Sequence, residues 1–148
     1  ELNSSEERLY RALAVSNLIT LHLKDGIGPL SAYCGAVSAG CGAAAGIAYL
    51  YGGGVDEIAH TVVNALAINS GMICDGAKPS CALKLTSGVS TAVLSAILAM
   101  EGKCVTSVEG IIDDDVDRSI RNLTRIGSQG MNETDKLVLD IMTSKRCN

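Results

Sequence analysis

The sequence has no tryptophan and no phenylalanine, and only four tyrosines in 148 residues. Without those large rings a core has little bulky filler, so its elements must approach closely on small side chains. Basic runs are missing as well: 12 Lys and Arg face 16 Asp and Glu, for a net charge of -4. That balance argues against nucleic acid and against an anionic membrane surface as partners. No signal-peptide pattern occurs, since the polar and charged opening Glu1–Arg11 is not followed by a short apolar core after a basic start. Six cysteines in that setting point to reduced cytoplasmic thiols rather than disulfides. Charge is absent altogether from 26–55, long enough to raise a transmembrane reading. The content opposes it, because Cys34 to Gly46 is almost entirely Gly, Ala, Ser and Cys, which gain little from lipid.

What is present is small. Glycine numbers 16, and Gly35, Ala39, Gly42 and Gly46 recur at helical spacing as a stripe suited to a buried central helix gripped by its neighbours. The length suits one domain, burying about 70% of its unfolded surface. The chain begins at Glu1 rather than Met, and the expectation is a portion of a longer polypeptide.

Helical periodicity organises the rest. Ser4 and Glu7 have the Ser-x-x-Glu form of a capping box, opening a helix over about 5–24 that Gly26 and Pro29 stop. Asp56 and Glu57 open another, with Ile58, Val62 and Leu66 inward and an end near Ser70-Gly71. Val89, Val93, Ile97 and Met100 mark a helix stopped by Gly102. Asp113 to Asp115 precede a short one closed by Gly127, and Asn132 caps a last one carrying Leu137, Val138 and Ile141. Cys104 to Ile112 reads as a strand pair or an extended loop. The expected fold is all-α: a compact bundle of about six helices around the Gly/Ala-rich helix.

The chemistry concentrates in Cys74-Asp75-Gly76-Ala77-Lys78-Pro79-Ser80-Cys81, with Cys34 forty residues upstream. Thiols joined by a tight Gly- and Pro-containing loop suit a soft metal centre, and such loops also offer backbone N–H donors. The alternative is a capped interhelical turn whose cysteines are merely buried. Cys34 and Cys41 are one face but about 10.5 Å apart on a continuous helix. Unless the helix breaks at Gly35, one is expected to be a ligand and the other packing; Cys34, at the helix N-terminus, is favoured, and Cys41 reads as packing. Lys78 offers a positive charge to a thiol or a carboxylate. Asn69 and Ser87 are further candidates for substrate, as is Asn64, which could instead cap a backbone group. His22 and His60 have no partners suggesting a triad. Cys104 and Cys147 stand without a motif.

The stretches Leu30-Ser31-Ala32-Tyr33-Cys34-Gly35-Ala36, Ala43-Ala44-Ala45-Gly46-Ile47 and Gly71-Met72-Ile73-Cys74-Asp75-Gly76-Ala77-Lys78 resemble the iron–sulfur L-serine dehydratase alpha-chain superfamily. The likeness is strongest to the L-cysteine desulfidase-like branch, and Gly110 to Asp113 and Arg125 to Asp135 extend it. The resemblance implies that 1–148 is the cluster-binding C-terminal portion of a longer protein. It implies a [4Fe–4S] cluster with three thiolate ligands and one open iron, and α,β-elimination from a small amino-acid substrate. Cys34 and Cys74 fall at two ligand positions. The third is Cys81 if the dehydratase arrangement holds, whereas in the desulfidase branch it is a cysteine near the N-terminus of the full chain. L-cysteine is the first expected substrate and L-serine the second. A non-catalytic zinc or thiol domain, structural or redox, is the alternative class. The implied partners are the substrate and the missing N-terminal part, with self-association left open and neither nucleic acid nor membrane expected.

Overall fold

A computed structural model describes residues 4–145, which form six α-helices and no named strand. Helix α1 (Glu6–Ile27) is capped by Ser5, whose Oγ accepts from the Arg8 N–H at 3.3 Å. The capping box expected on Ser4 is thus displaced by one residue, and Arg8 stands where the box needs Glu. The helix also continues past Gly26. Gly28, at φ +92°, turns the chain instead and donates its N–H to the Lys24 carbonyl, a conformation only glycine adopts readily.

Helix α2 (Gly35–Leu50) is the centre, with ten of its sixteen residues buried and α1, α3 and α4 packed around it. Small side chains make this possible. A Cβ on Gly42 would stand 2.4 Å from the Ser16 carbonyl oxygen of α1, and one on Gly46 would stand 3.0 Å from that of Ala12. These contacts set α1 antiparallel to α2. On another side Gly40 meets Gly88 of α4. The expected stripe is therefore only half right: Gly42 and Gly46 grip α1, while Gly35 and Ala39 are exposed.

Helix α3 (Val55–Asn69) begins with the Glu57 carboxylate accepting from the Gly54 N–H at 2.7 Å, and buries Val62 and Leu66 as expected. Helix α4 (Cys81–Met100) is the helix marked by Val89, Val93, Ile97 and Met100, and it packs by its other face. Gly88, Ala92, Ala96 and Ala99 are buried, whereas Val89, Val93, Ile97 and Met100 face outward. Close packing on α2 selects the small face. By length and composition α4 could cross a membrane, while α2 is shorter. The 26–55 segment, suspected on charge alone, supplies no such span.

Helix α5 (Val116–Arg125) is capped by Asp115, which accepts from the Arg118 N–H at 2.8 Å. It does not stop at Gly127 but winds through a π-helical turn (Ile126–Gly130) into α6 (Asn132–Ser144). Gly127 is needed for proximity, since a Cβ there would meet Ile27 at 3.1 Å. Met131, not Asn132, precedes α6, and no side chain caps it; α6 buries none of its residues fully. Cys104–Ile112 is irregular loop, the second of its two expected forms. Asn64 resolves as a backbone cap, donating to the Lys103 carbonyl at 3.0 Å and accepting from the Val105 N–H at 2.9 Å.

Candidate functional site

Two short extended segments are laced together at one end of the bundle. The Cys34 N–H donates to the Met72 carbonyl at 3.1 Å and the Cys74 N–H to the Ala32 carbonyl at 2.5 Å, around a bridge between Tyr33 and Ile73. Tyr33 is buried, and its hydroxyl donates to the Ser70 carbonyl at 2.6 Å. Ser31 fixes the same segment to the π-turn through the Gly127 carbonyl, also at 2.6 Å. Cys34 thereby becomes the N-cap of α2, buried, while Cys74 leads into the loop.

That loop returns to α4 at Cys81, its first residue, partly buried, with Sγ 3.6 Å from the Gly76 carbonyl oxygen. Gly76 sits at φ +89°, which lets the chain reverse between the two cysteines. Gly88 of α4 meets Ala36 and Gly40 near the start of α2, and Met100 at its end meets Gly53 beyond the end of α2. The two helices are therefore parallel, and the positive dipole ends of both face the same end as the thiols, although the Cys81, Ala82 and Leu83 N–H groups of α4 already donate to the Lys78, Pro79 and Ser80 carbonyls. The cysteines among the described residues are free; Cys147 lies outside them.

Three charged residues stand together at this end. Lys84 donates to the Ile73 carbonyl at 2.7 Å and to Asp75 Oδ1 at 2.8 Å. Lys78 binds the other oxygen of Asp75 and also reaches its backbone carbonyl at 3.2 Å. Hydrogen bonds from Lys78 and then Lys84 hold the Asp75 carboxyl well below the usual carboxylate range. The bond to Asp75 in turn raises the Lys84 ammonium above its ordinary value, with smaller charge contributions from Cys34 and Cys81. Lys84 was not singled out in the sequence. Its signal was there: it is the one charged side chain in Cys81–Met100, three residues after a cysteine.

The expected site residues divide. Cys34, Cys74, Cys81 and Lys78 come to one end. Asn69 ends α3 just behind them, buried, with its Nδ2 unpaired and close to Gly40. Ser87 lies one turn beyond Lys84, exposed. Cys41 is fully buried in the core, and burial pushes its thiol up to about 12. His60 and His22 are exposed, His22 beside Asp117. Among the described residues no three His, Cys, Asp or Glu side chains gather tightly enough to hold a single metal ion. A groove of about 410 Å³ opens beside Cys74, lined also by Ala32, Gly76, Asp135 and Met142.

Comparison with known families gives one match, described as serine dehydratase alpha chain, over residues 1–140. The chain belongs to this family. Within the serine dehydratase alpha-chain family it is similar to a UPF0597 protein of Phocaeicola vulgatus, 68% identical over 146 residues that cover 99% of this chain and 34% of the relative. UPF0597 proteins of Bacteroides thetaiotaomicron and Desulfitobacterium hafniense are 63% and 56% identical, each over 98% of this chain and 34% of their own length. The chain thus spans about a third of the curated relatives it matches. No solved structure matches it significantly.

Proposed function

We propose that the chain is the cluster-binding part of a cytoplasmic iron–sulfur lyase that eliminates the β-substituent of L-cysteine, giving pyruvate, ammonia and hydrogen sulfide. Cys34, Cys74 and Cys81 are assigned as thiolate ligands of a [4Fe–4S] cluster. The observation that carries this reading is the backbone lacing of 32–34 to 72–74, which brings Cys34 and Cys74 to the end of the bundle where Cys81 begins α4. The donor set suits a cluster in kind: free thiols supply soft ligands, and two helix N-termini and a lysine favour the negative charge that those thiolates bring. A cluster distributes its ligands over separate irons, so its thiolates need not meet at a point as those of a single ion must.

When bound, the cluster supplies a Lewis-acidic iron for the substrate's leaving group or carboxylate. The protein's own part is positional. Lys78 and Lys84 fix Asp75, and with it the loop that carries Cys74 and leads to Cys81. Asn69, Lys78 and Ser87 are the polar groups assigned to substrate, of which Lys78 lies nearest the thiols in sequence. A general base for the Cα proton is assigned to the part of the parent protein outside residues 1–148, because His60 is exposed and His22 is exposed beside Asp117.

The second reading is an L-serine dehydratase with the same chemistry, which the family description favours. The deciding experiment is anaerobic purification of the parent chain with iron and acid-labile sulfide measured per polypeptide. About four of each are expected, lost in Cys34→Ser, Cys74→Ser and Cys81→Ser. Retention in Cys81→Ser moves the third ligand elsewhere in the parent. Stoichiometric zinc without sulfide overturns the lyase assignment in favour of a thiol or zinc domain. Product analysis with L-cysteine against L-serine then separates the two substrates.

A further inference from the structure

The central helix is wrapped on only three sides. At about 100° per residue, Ala39 and Ala43 fall on the arc between the positions that meet α1 (Gly42, Gly46) and those that meet α4 (Ala36, Gly40). Ala39 is exposed and Ala43 is only partly buried, so this fourth side of α2 is bare. Apolar side chains stand along both of its flanks. On α4, Leu85, Val89, Val93 and Ile97 repeat every fourth residue with exposures of 55, 59, 38 and 43%. On α1, Leu9 and Leu13 lie next to the α2-facing positions and are 44 and 49% exposed.

We infer that this trough is the seat of a helix from the part of the parent polypeptide outside residues 1–148. Ridges at four-residue spacing over an alanine floor are what a helix packs into, since small residues let the backbones approach. Such a floor gains little from lipid, which disfavours a bilayer as the occupant. Relatives 56 to 68% identical to this chain are about three times its length, so a covering segment is available within one polypeptide. Large apolar stripes left open to water mark an interaction surface rather than a finished exterior. The placement matters for the site: α2 and α4 start at the same end of the trough, with Cys34 and Cys81 at those starts, so the seated helix reaches the thiols.

The test uses the full-length parent with p-benzoylphenylalanine incorporated at Val89 and, separately, at Ala39, irradiated with and without iron loading. The expected product is a cross-link within one polypeptide to a peptide outside residues 1–148, identified by mass spectrometry. Cross-linked dimers joining two copies, lipid adducts, or recovery of the unreacted label at both positions would overturn the proposal. Val93→Glu in the same full-length chain provides an independent check: a lowered urea midpoint is expected, and an unchanged one counts against the trough being covered. Because neither readout needs the cluster, both hold or fail separately from the iron–sulfur reading.

Discussion

Lys84 Nζ lies 2.8 Å from Asp75 Oδ1, joining the first turn of α4 to the residue that follows Cys74. Lys78 holds the other carboxylate oxygen, so the loop between the two cysteines is fastened at its start by charges from its middle and from beyond its end.

Replacing Lys84 with Met should therefore loosen the loop while leaving the bundle intact. The carboxyl of Asp75 is held below the ordinary carboxylate range, so it stays charged from neutral pH through mild acid and its contribution disappears only as pH falls through that lowered value. At neutral pH the expected result is faster amide hydrogen exchange over 73–78 in Lys84→Met, with Val62–Leu66 of α3 unchanged. Uniform acceleration across both regions would show that Lys84 supports the fold rather than the loop.

Gly42→Ala tests the closeness of α1 and α2. The new methyl group would stand 2.4 Å from the Ser16 carbonyl oxygen, which is backbone and cannot rotate away. Overpacking of this kind costs about 1–3 kcal/mol, readable as a lower denaturation midpoint. Gly130→Ala is the matched control: its Cβ would meet only Ile126, at 3.6 Å. Its midpoint should shift by no more than about 0.5 kcal/mol equivalent.

Cys41 provides a pH signature of its own burial. Burial raises its thiol from 9.0 to about 12 in the folded protein. Below pH 9 both folded and unfolded forms carry the proton, so its contribution is fully present there. As pH rises from 9 towards 12 the unfolded form ionises first, and stability falls. Three units correspond to about a thousandfold less thiolate at a given pH. Cys41 should thus be alkylated by iodoacetamide at pH 8 far more slowly than the partly exposed Cys81, and Cys41→Ala should remove part of the alkaline loss of stability. Equal labelling rates would contradict the burial.

The sequence made the helices legible because periodicity and Ser and Asp caps are local signals. It identified α2 as the central element because a charge-free run of Gly and Ala has little use on a surface. Orientation was harder to read. On α4 the large apolar stripe marked the helix but not its packed face: Gly88 packs against the backbone of α2 at Ala36 and Gly40, and the small residues in line with it are the buried ones. The end of α5 was misread for a related reason, since Gly127 serves contact with Ile27 rather than a turn.

The candidate site divides along the same line. Its candidate residues Cys34, Cys74 and Cys81 could be singled out, because thiols at loop and helix boundaries are a chemical signal carried by residue type. Sequence alone determined the helical class, the small-residue core and the family, and it marked out those three cysteines as candidates. Tertiary structure decided that α2 and α4 run parallel with both N-termini at the thiol end, that Lys84 reaches back to Asp75, and that one side of the central helix is left bare. Those features depend on which faces meet across long separations in the chain, and close backbone packing, which no local pattern records, settles them.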